Sequence, residues 1–250
     1  MSKITKVKAR QVFDSRGNPT VEAEVYTNNL SASAICPSGA STGTYEAFEK
    51  RDKNNKKYLG KSVLKAVELV NSKISKKLKG QNVHNQERID ALLINLDGTR
   101  QKTNLGANAM LAVSMAVKKL SAKVKKLPLY KTFFLKNNFQ LPYPLMNIIN
   151  GGAHANNGLR IQEFMIRPDR AKSFSEAMRI CFVVIKNLSN LIKNKGYSTS
   201  VGDEGGFAPM ISSNNQALDL IVSAIKKSGF VNGKDVSICL DVAANELFKK

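Results

Sequence analysis

The apolar pattern of this 250-residue sequence changes period at Pro142, and that break sets the outline of the fold. Ahead of it, strands come first and helices follow. Residues 20–26 alternate apolar Val21, Ala23 and Val25 with acidic Glu22 and Glu24, the period of a strand with one buried face. The turn-rich run from Asp14 to Pro19 joins this strand to an earlier one over residues 4–13, and Asn28-Asn29 leads to a third over 30–36. Together they predict an antiparallel three-stranded meander. Val63, Val67, Val70, Ile74 and Leu78 then recur at helical spacing, with Gly80 as a stop. Further helices are expected over 85–96 and 107–123. In the latter, Ala107, Ala109, Ala112, Ser114 and Ala116 predict a close approach to whatever it packs on. Strands followed by helices make residues 1–137 an α+β domain.

Beyond the break, short apolar strands alternate with long helices. Strands are expected over 145–149, 161–166, 198–201 and 236–240. Ser173 and Glu176 form a capping box opening a helix that runs to Lys195 and stops at Gly196; another helix covers 216–227 and stops at Gly229. Such alternation predicts parallel βα units over residues 138–250. The polar residues gather where these units put active sites, just past strand C-termini. His154 follows the first strand, Gln162 and Glu163 lie on the second, Asp203 and Glu204 precede two glycines after the third, and Asp241 closes the fourth. Singly, each has an ordinary explanation. His154 can be a satisfied structural histidine, Asp203-Glu204 an exposed turn, and Asp241 a cap for a helix over 243–248. Four successive strands delivering such groups to one rim is hard to explain structurally. His84, just ahead of a helix, reads as a surface neighbour. Residues 38–43 look like an anion-cradling nest but lack the lysine of a P-loop, which argues against nucleotide binding.

Composition narrows the function classes. The net charge of +20, from 39 Lys and Arg against 19 Asp and Glu, invites a nucleic-acid reading. Its distribution argues otherwise. The first 140 residues hold 26 basic and 10 acidic groups, mostly lysines over 50–79 and 118–136 with few arginines and little aromatic interleaving. Base readout and stacking need arginine and aromatic rings, so a solvated lysine surface without specific nucleic-acid binding is expected. No run approaches 18 apolar residues, so no membrane span is expected. The first residues carry neither the apolar core nor the cleavage pattern of a secretory signal. Cys36, Cys181 and Cys239 are too scattered for a disulfide framework or a zinc site, which suggests a reducing cytosol.

Seven motifs, in order from one end to the other, carry a resemblance. They are Asp14-Ser-Arg-Gly-Asn-Pro-Thr-Val-Glu22, Pro37-Ser-Gly-Ala-Ser-Thr-Gly43 with Glu46-Ala47, Gly106-Ala-Asn-Ala109, and Met146-Asn-Ile-Ile-Asn-Gly-Gly152 with His154-Ala155. Ile161-Gln-Glu-Phe-Met165, Val201-Gly-Asp-Glu-Gly-Gly-Phe-Ala-Pro209, and Leu240-Asp-Val-Ala-Ala244 with Glu246 complete the set. The sequence resembles the enolase family, its bacterial members in particular. That resemblance implies Mg²⁺-dependent, reversible dehydration of 2-phosphoglycerate to phosphoenolpyruvate in glycolysis by a cytoplasmic lyase that is a homodimer when complete. The chemistry suits the residues. A proton α to a carboxylate is very weakly acidic, so its removal creates a dianionic ene-diolate that needs positive charge beside it, and an acid-lined rim suits Mg²⁺. By resemblance, Glu204 is the general acid for the departing hydroxyl, and Glu163 assists it. His154 and Gln162 contact substrate. Asp241 is a metal carboxylate, and Ser41 helps hold a second Mg²⁺ from a loop hinged at Gly39 and Gly43. Ala153, Asn156 and Arg160 depart from the usual pattern at the rim.

The resemblance also implies a fold: the α+β domain leads into a TIM-type barrel. A full (β/α)₈ barrel takes ~250 residues by itself, whereas about 110 follow residue 140 here. The family's later strands carry two more metal carboxylates, the lysine base and the phosphate-binding residues. The expectation is therefore an incomplete α/β barrel, inactive as this chain alone. Two other classes compete with the lyase reading. One is a non-catalytic, secreted or surface protein that binds plasminogen through terminal Lys249 and Lys250; the other is a basic nucleic-acid binder.

Overall fold

The computed structural model describes residues 2–39, 42–133, 139–202 and 204–247. The chain divides into two compact units, one of residues 1–39 and 45–138, the other of 40–44 and 139–250.

In the first unit, β1 (Lys6–Phe13), β2 (Pro19–Tyr26) and β3 (Ser31–Cys36) form the expected antiparallel meander in the order β1-β2-β3. The register runs from Lys6 opposite Tyr26 to Phe13 opposite Pro19. Alternation along β2 is realised as read: Val21, Ala23 and Val25 are fully buried, while Glu22 and Glu24 face the other way. Glu22 accepts from Arg10 Nε at 2.5 Å, and Glu24 accepts from the Tyr26 hydroxyl at 2.6 Å.

The helical run after Gly60 comprises α1 (Leu64–Leu69), a π-helical turn (Val70–Ile74) and α2 (Ser75–Leu78). Ala66, Val70, Ile74 and Leu78 are all buried. Their four-residue spacing outruns the 3.6-residue period of an α-helix, and the wider π turn keeps that stripe on the core. α3 (Gln86–Asp97) and α4 (Ala107–Val124) follow. The alanines at 109, 112 and 116 let α4 lie closely on β2 and β3, among Val113, Val117 and Leu120.

The second unit departs from the expectation of parallel βα units. Its sheet has the order β4 (Met146–Asn150), β5 (Glu163–Arg167), β6 (Ser237–Asp241), and β5 runs antiparallel to both neighbours. The reason is connection length. Between β4 and β5 lie twelve residues with one 3₁₀ turn (Gly152–His154), too little helix for a crossover to a parallel neighbour. Between β5 and β6, α5 (Phe174–Asn194) and α6 (Asn214–Lys227) run out and back against each other, returning the chain to the end it left. The strand expected over 198–201 reduces to a bridge between Val201 and Phe207. α7 (Ala244–Leu247) ends the described chain. Among the described residues, no helix is long and apolar enough to cross a membrane.

The cap of α5 follows its sequence signal, and α6 has one that sequence reasoning did not find. Ser173 Oγ accepts from Glu176 N at 3.1 Å, and Glu176 answers by accepting from Lys172 N at 2.8 Å, one residue earlier than the standard box. α6 starts at Asn214, with the Ser213 hydroxyl accepting from Gln216 N. Ile180, Val184, Leu188 and Ile192 from α5 meet Leu220, Ile221 and Ile225 from α6 in the core that also takes Phe164 and Ile166.

Candidate active site

The antiparallel course of β5 changes how the rim is built. Asp241 stands at a C-terminal strand end, as expected, and so does Asn150, but Glu163 is the first residue of β5. Reversal brings that first residue to the same end of the sheet, where it lies opposite Asp241 in the register. Gln162 precedes it, buried, with Oε1 lacking a hydrogen-bond partner among the described residues.

His154 reaches the rim through a tight turn. Gly152 holds φ of +48°, and Gly151 sits so close to Ile161 that a Cβ would fall 2.4 Å from its carbonyl oxygen. Gly151 N donates to Gln162 O at 2.9 Å, and Gly152 N to Leu159 O at 3.0 Å, tying the turn to the start of β5. His154 is 5% exposed. Glu204 arrives from the α5–α6 connection, on a turn closed by Gly202 N donating to Gly206 O at 2.9 Å.

These elements bring three of the expected residues together. His154 Nδ1 lies 3.4 Å from Glu163 Oε1, and its Nε2 lies 3.9 Å from Glu204 Oε1. One imidazole is thus flanked by a carboxylate at each nitrogen. Burial pushes the Glu163 carboxyl above its ordinary value, and the negative charges of Glu204 and Asp241 push it further; His154 opposes them. Glu204 is far more open, its side chain 52% exposed. A half-buried acid inclined to hold a proton thus stands near an open carboxylate. His154, Glu163 and Glu204 offer ligand atoms within 4.8 Å of one another, a possible acidic and histidine metal site.

Asp241 is on the adjacent strand and does two things. Its Oδ1 accepts from Ala243 N at 3.0 Å, the local capping expected of it, while its charge acts on Glu163. Ser41 and Asp203 lie outside the described residues, so the loop-borne metal contact and its hinges at Gly39 and Gly43 gain no geometry here. His84 corrects its reading as a surface neighbour: it is half-buried, with Nδ1 2.9 Å from Ser121 Oγ. The residue that sequence reasoning missed is Asn150, fully buried at the end of β4. Its only signal was a polar side chain, with Asn147, inside an otherwise apolar strand.

An α+β unit is thus followed by a second unit whose three-stranded sheet gathers acids and a histidine at one end. Residues 4–133 match the family model described as the enolase N-terminal domain, and residues 138–250 match that of the enolase C-terminal TIM barrel domain. Over all 250 residues the chain is 83% identical to the enolase of Pelagibacter ubique (strain HTCC1062). The chain belongs to the enolase family. It spans 60% of the length of that relative.

Proposed function

We propose that this chain contributes the leaving-group side of an enolase active site, which dehydrates 2-phosphoglycerate to phosphoenolpyruvate and catalyses the reverse hydration. One observation carries the reading: in a chain 83% identical to an enolase, His154 stands between Glu163 and Glu204 at 3.4 and 3.9 Å.

The reaction needs a proton removed α to a carboxylate and a hydroxide expelled from the next carbon. Glu204, open to the rim, delivers a proton to that departing oxygen. Glu163, pushed above the ordinary carboxyl value by burial, lies beside the same end and assists. His154 and Gln162 orient the substrate, each presenting a buried polar atom without a hydrogen-bond partner among the described residues. Asp241, with Ser41, is the part of a Mg²⁺ site that these residues supply. The donors fit that ion, since carboxylate oxygens suit Mg²⁺ whereas the imidazole of His154 is better matched to substrate. When bound, the ion supplies positive charge at the substrate carboxylate as ene-diolate charge grows. By the resemblance to enolases, the α-proton base belongs to residues that follow Asp241 in the family. These 250 residues alone are not expected to turn over substrate.

A cytoplasmic homodimer belongs to the same reading, and the free Cys36, Cys181 and Cys239 suit a reducing compartment. The test is to continue the chain with the remainder of the Pelagibacter relative and follow phosphoenolpyruvate formation from 2-phosphoglycerate with excess Mg²⁺. Turnover in the range usual for enzymes, on the order of 10 s⁻¹, is expected. A folded continued protein that binds Mg²⁺ yet forms no product contradicts the reading.

A further inference from the structure

Asn150 has no place in the chemistry above, yet it is the most enclosed polar residue beside the rim, with no exposed surface. Its backbone is already committed. Asn150 N donates to Phe207 O and Phe207 N donates to Ile148 O, each at 2.9 Å, so β4 is zipped to the base of the Glu204 turn. Its carbonyl accepts from Asn157 Nδ2 at 2.9 Å, and Asn157 Nδ2 also reaches Pro209 O at 3.2 Å. Its side-chain Oδ1 accepts from Asn147 Nδ2.

The side chain itself is wedged between two glycines. A Cβ on Gly202 would stand 2.3 Å from Asn150 Nδ2 and 2.5 Å from His154 O, and a Cβ on Gly206 would stand 3.0 Å from Asn150 Oδ1. These two glycines bracket Glu204 and close its turn through the Gly202 N to Gly206 O bond. Gly202 therefore touches both the Asn150 amide and the backbone of His154. No side chain fits at 202, and little but a flat amide fits at 150. An aspartate would bury another negative charge near Glu163 and Glu204, and a leucine would need more room.

We propose that Asn150 is a positioning residue, whose buried side chain fixes the turn carrying Glu204 against the segment carrying His154. The spacing of that pair, 3.9 Å, is then set by packing behind the rim rather than by their own contact. The catalytic consequence rests on the enolase reading; the geometric one does not need it.

The test uses both properties. The sequence has two histidines, so in the 250-residue protein the ring signals of His154 can be followed by NMR with His84 as an internal control. Asn150→Ala is expected to move the His154 signals and leave those of His84 in place. Asn150→Ser, a smaller cut into the same wedge, should move them as well and serves where Asn150→Ala does not fold. His154 signals unchanged in the Asn150 variant that folds overturn the proposal. In the chain continued with the rest of the Pelagibacter relative, Asn150→Ala should lower kcat by about 10- to 100-fold with KM little changed, the cost of a misplaced group. An inactive parent would sink the enolase reading and leave the NMR result standing. An active parent with a fully active Asn150→Ala variant would sink the positioning role.

Discussion

At the scale of single residues, environment separates two carboxylates of the same type. Glu163 is pushed toward its protonated form by burial and by the charges of Glu204 and Asp241, while Glu204 stands open to solvent. A carboxyl whose folded value is raised contributes stability that is fully present below its unfolded value and is lost as pH rises through the folded one. Glu163→Gln, which cannot ionise, is therefore expected to melt with the parent in acid below the ordinary glutamate value of 4.5 and to melt higher than it at neutral pH. Thermal unfolding of the two proteins across that range checks it; a variant less stable than the parent at neutral pH would mean that the ionised carboxylate is favourable where it sits. His154, Glu163, Glu204 and Asp241 were legible in the sequence because each lies in or just past a short apolar run. Asn150 was not legible as a brace. Its role depends on two glycines more than fifty positions away, and nothing in local spacing brings them together.

At the scale of elements, what local sequence controls is realised and what tertiary contacts control is not. The β2 alternation, the Gly196 stop and the α5 cap are local signals, and all appear. Ser173→Ala removes the acceptor for Glu176 N and should cost about 1 kcal/mol of stability, measured by denaturant unfolding; a loss within error of zero would show that Glu176 alone holds that terminus. The direction of β5 was misread because a five-residue apolar strand carries no directional mark. Only the lengths of its connections do: a helix-poor link before it and a helix pair after it. Edge protection was also hidden. The outer edge of β3 is covered by α4, whose Lys119 and Lys123 ammonium groups donate to Ser33 O and Ser31 O at 3.3 and 3.0 Å. Part of the lysine excess thus caps a sheet edge, a recognised device against unwanted strand pairing.

At the scale of the whole molecule, each unit has its own hydrophobic core, one built on β2 and α4, the other on β4, β5, α5 and α6. We propose domain limits of 1–137 and 138–250 on that basis. Residues 1–137 made alone should unfold cooperatively with native-like circular dichroism, whereas a coil-like spectrum would place part of their core elsewhere. The charge of +20 is spread over solvent and over backbone caps, so filter binding at physiological salt should show no sequence-selective retention of nucleic acid; sub-micromolar selective binding would contradict that. The central claim is that the rim built by His154, Glu163 and Glu204 serves the departing hydroxyl and not the α-proton. The measurement that tests it most directly is made in deuterated water on the continued chain carrying Glu204→Gln, with Mg²⁺ and 2-phosphoglycerate. Phosphoenolpyruvate formation should fall by about 10²–10⁴-fold, the usual worth of a positioned acid, while exchange of the substrate's α-hydrogen for deuterium persists near the parent rate. Exchange and dehydration falling together, or dehydration surviving intact, would contradict the assignment of Glu204.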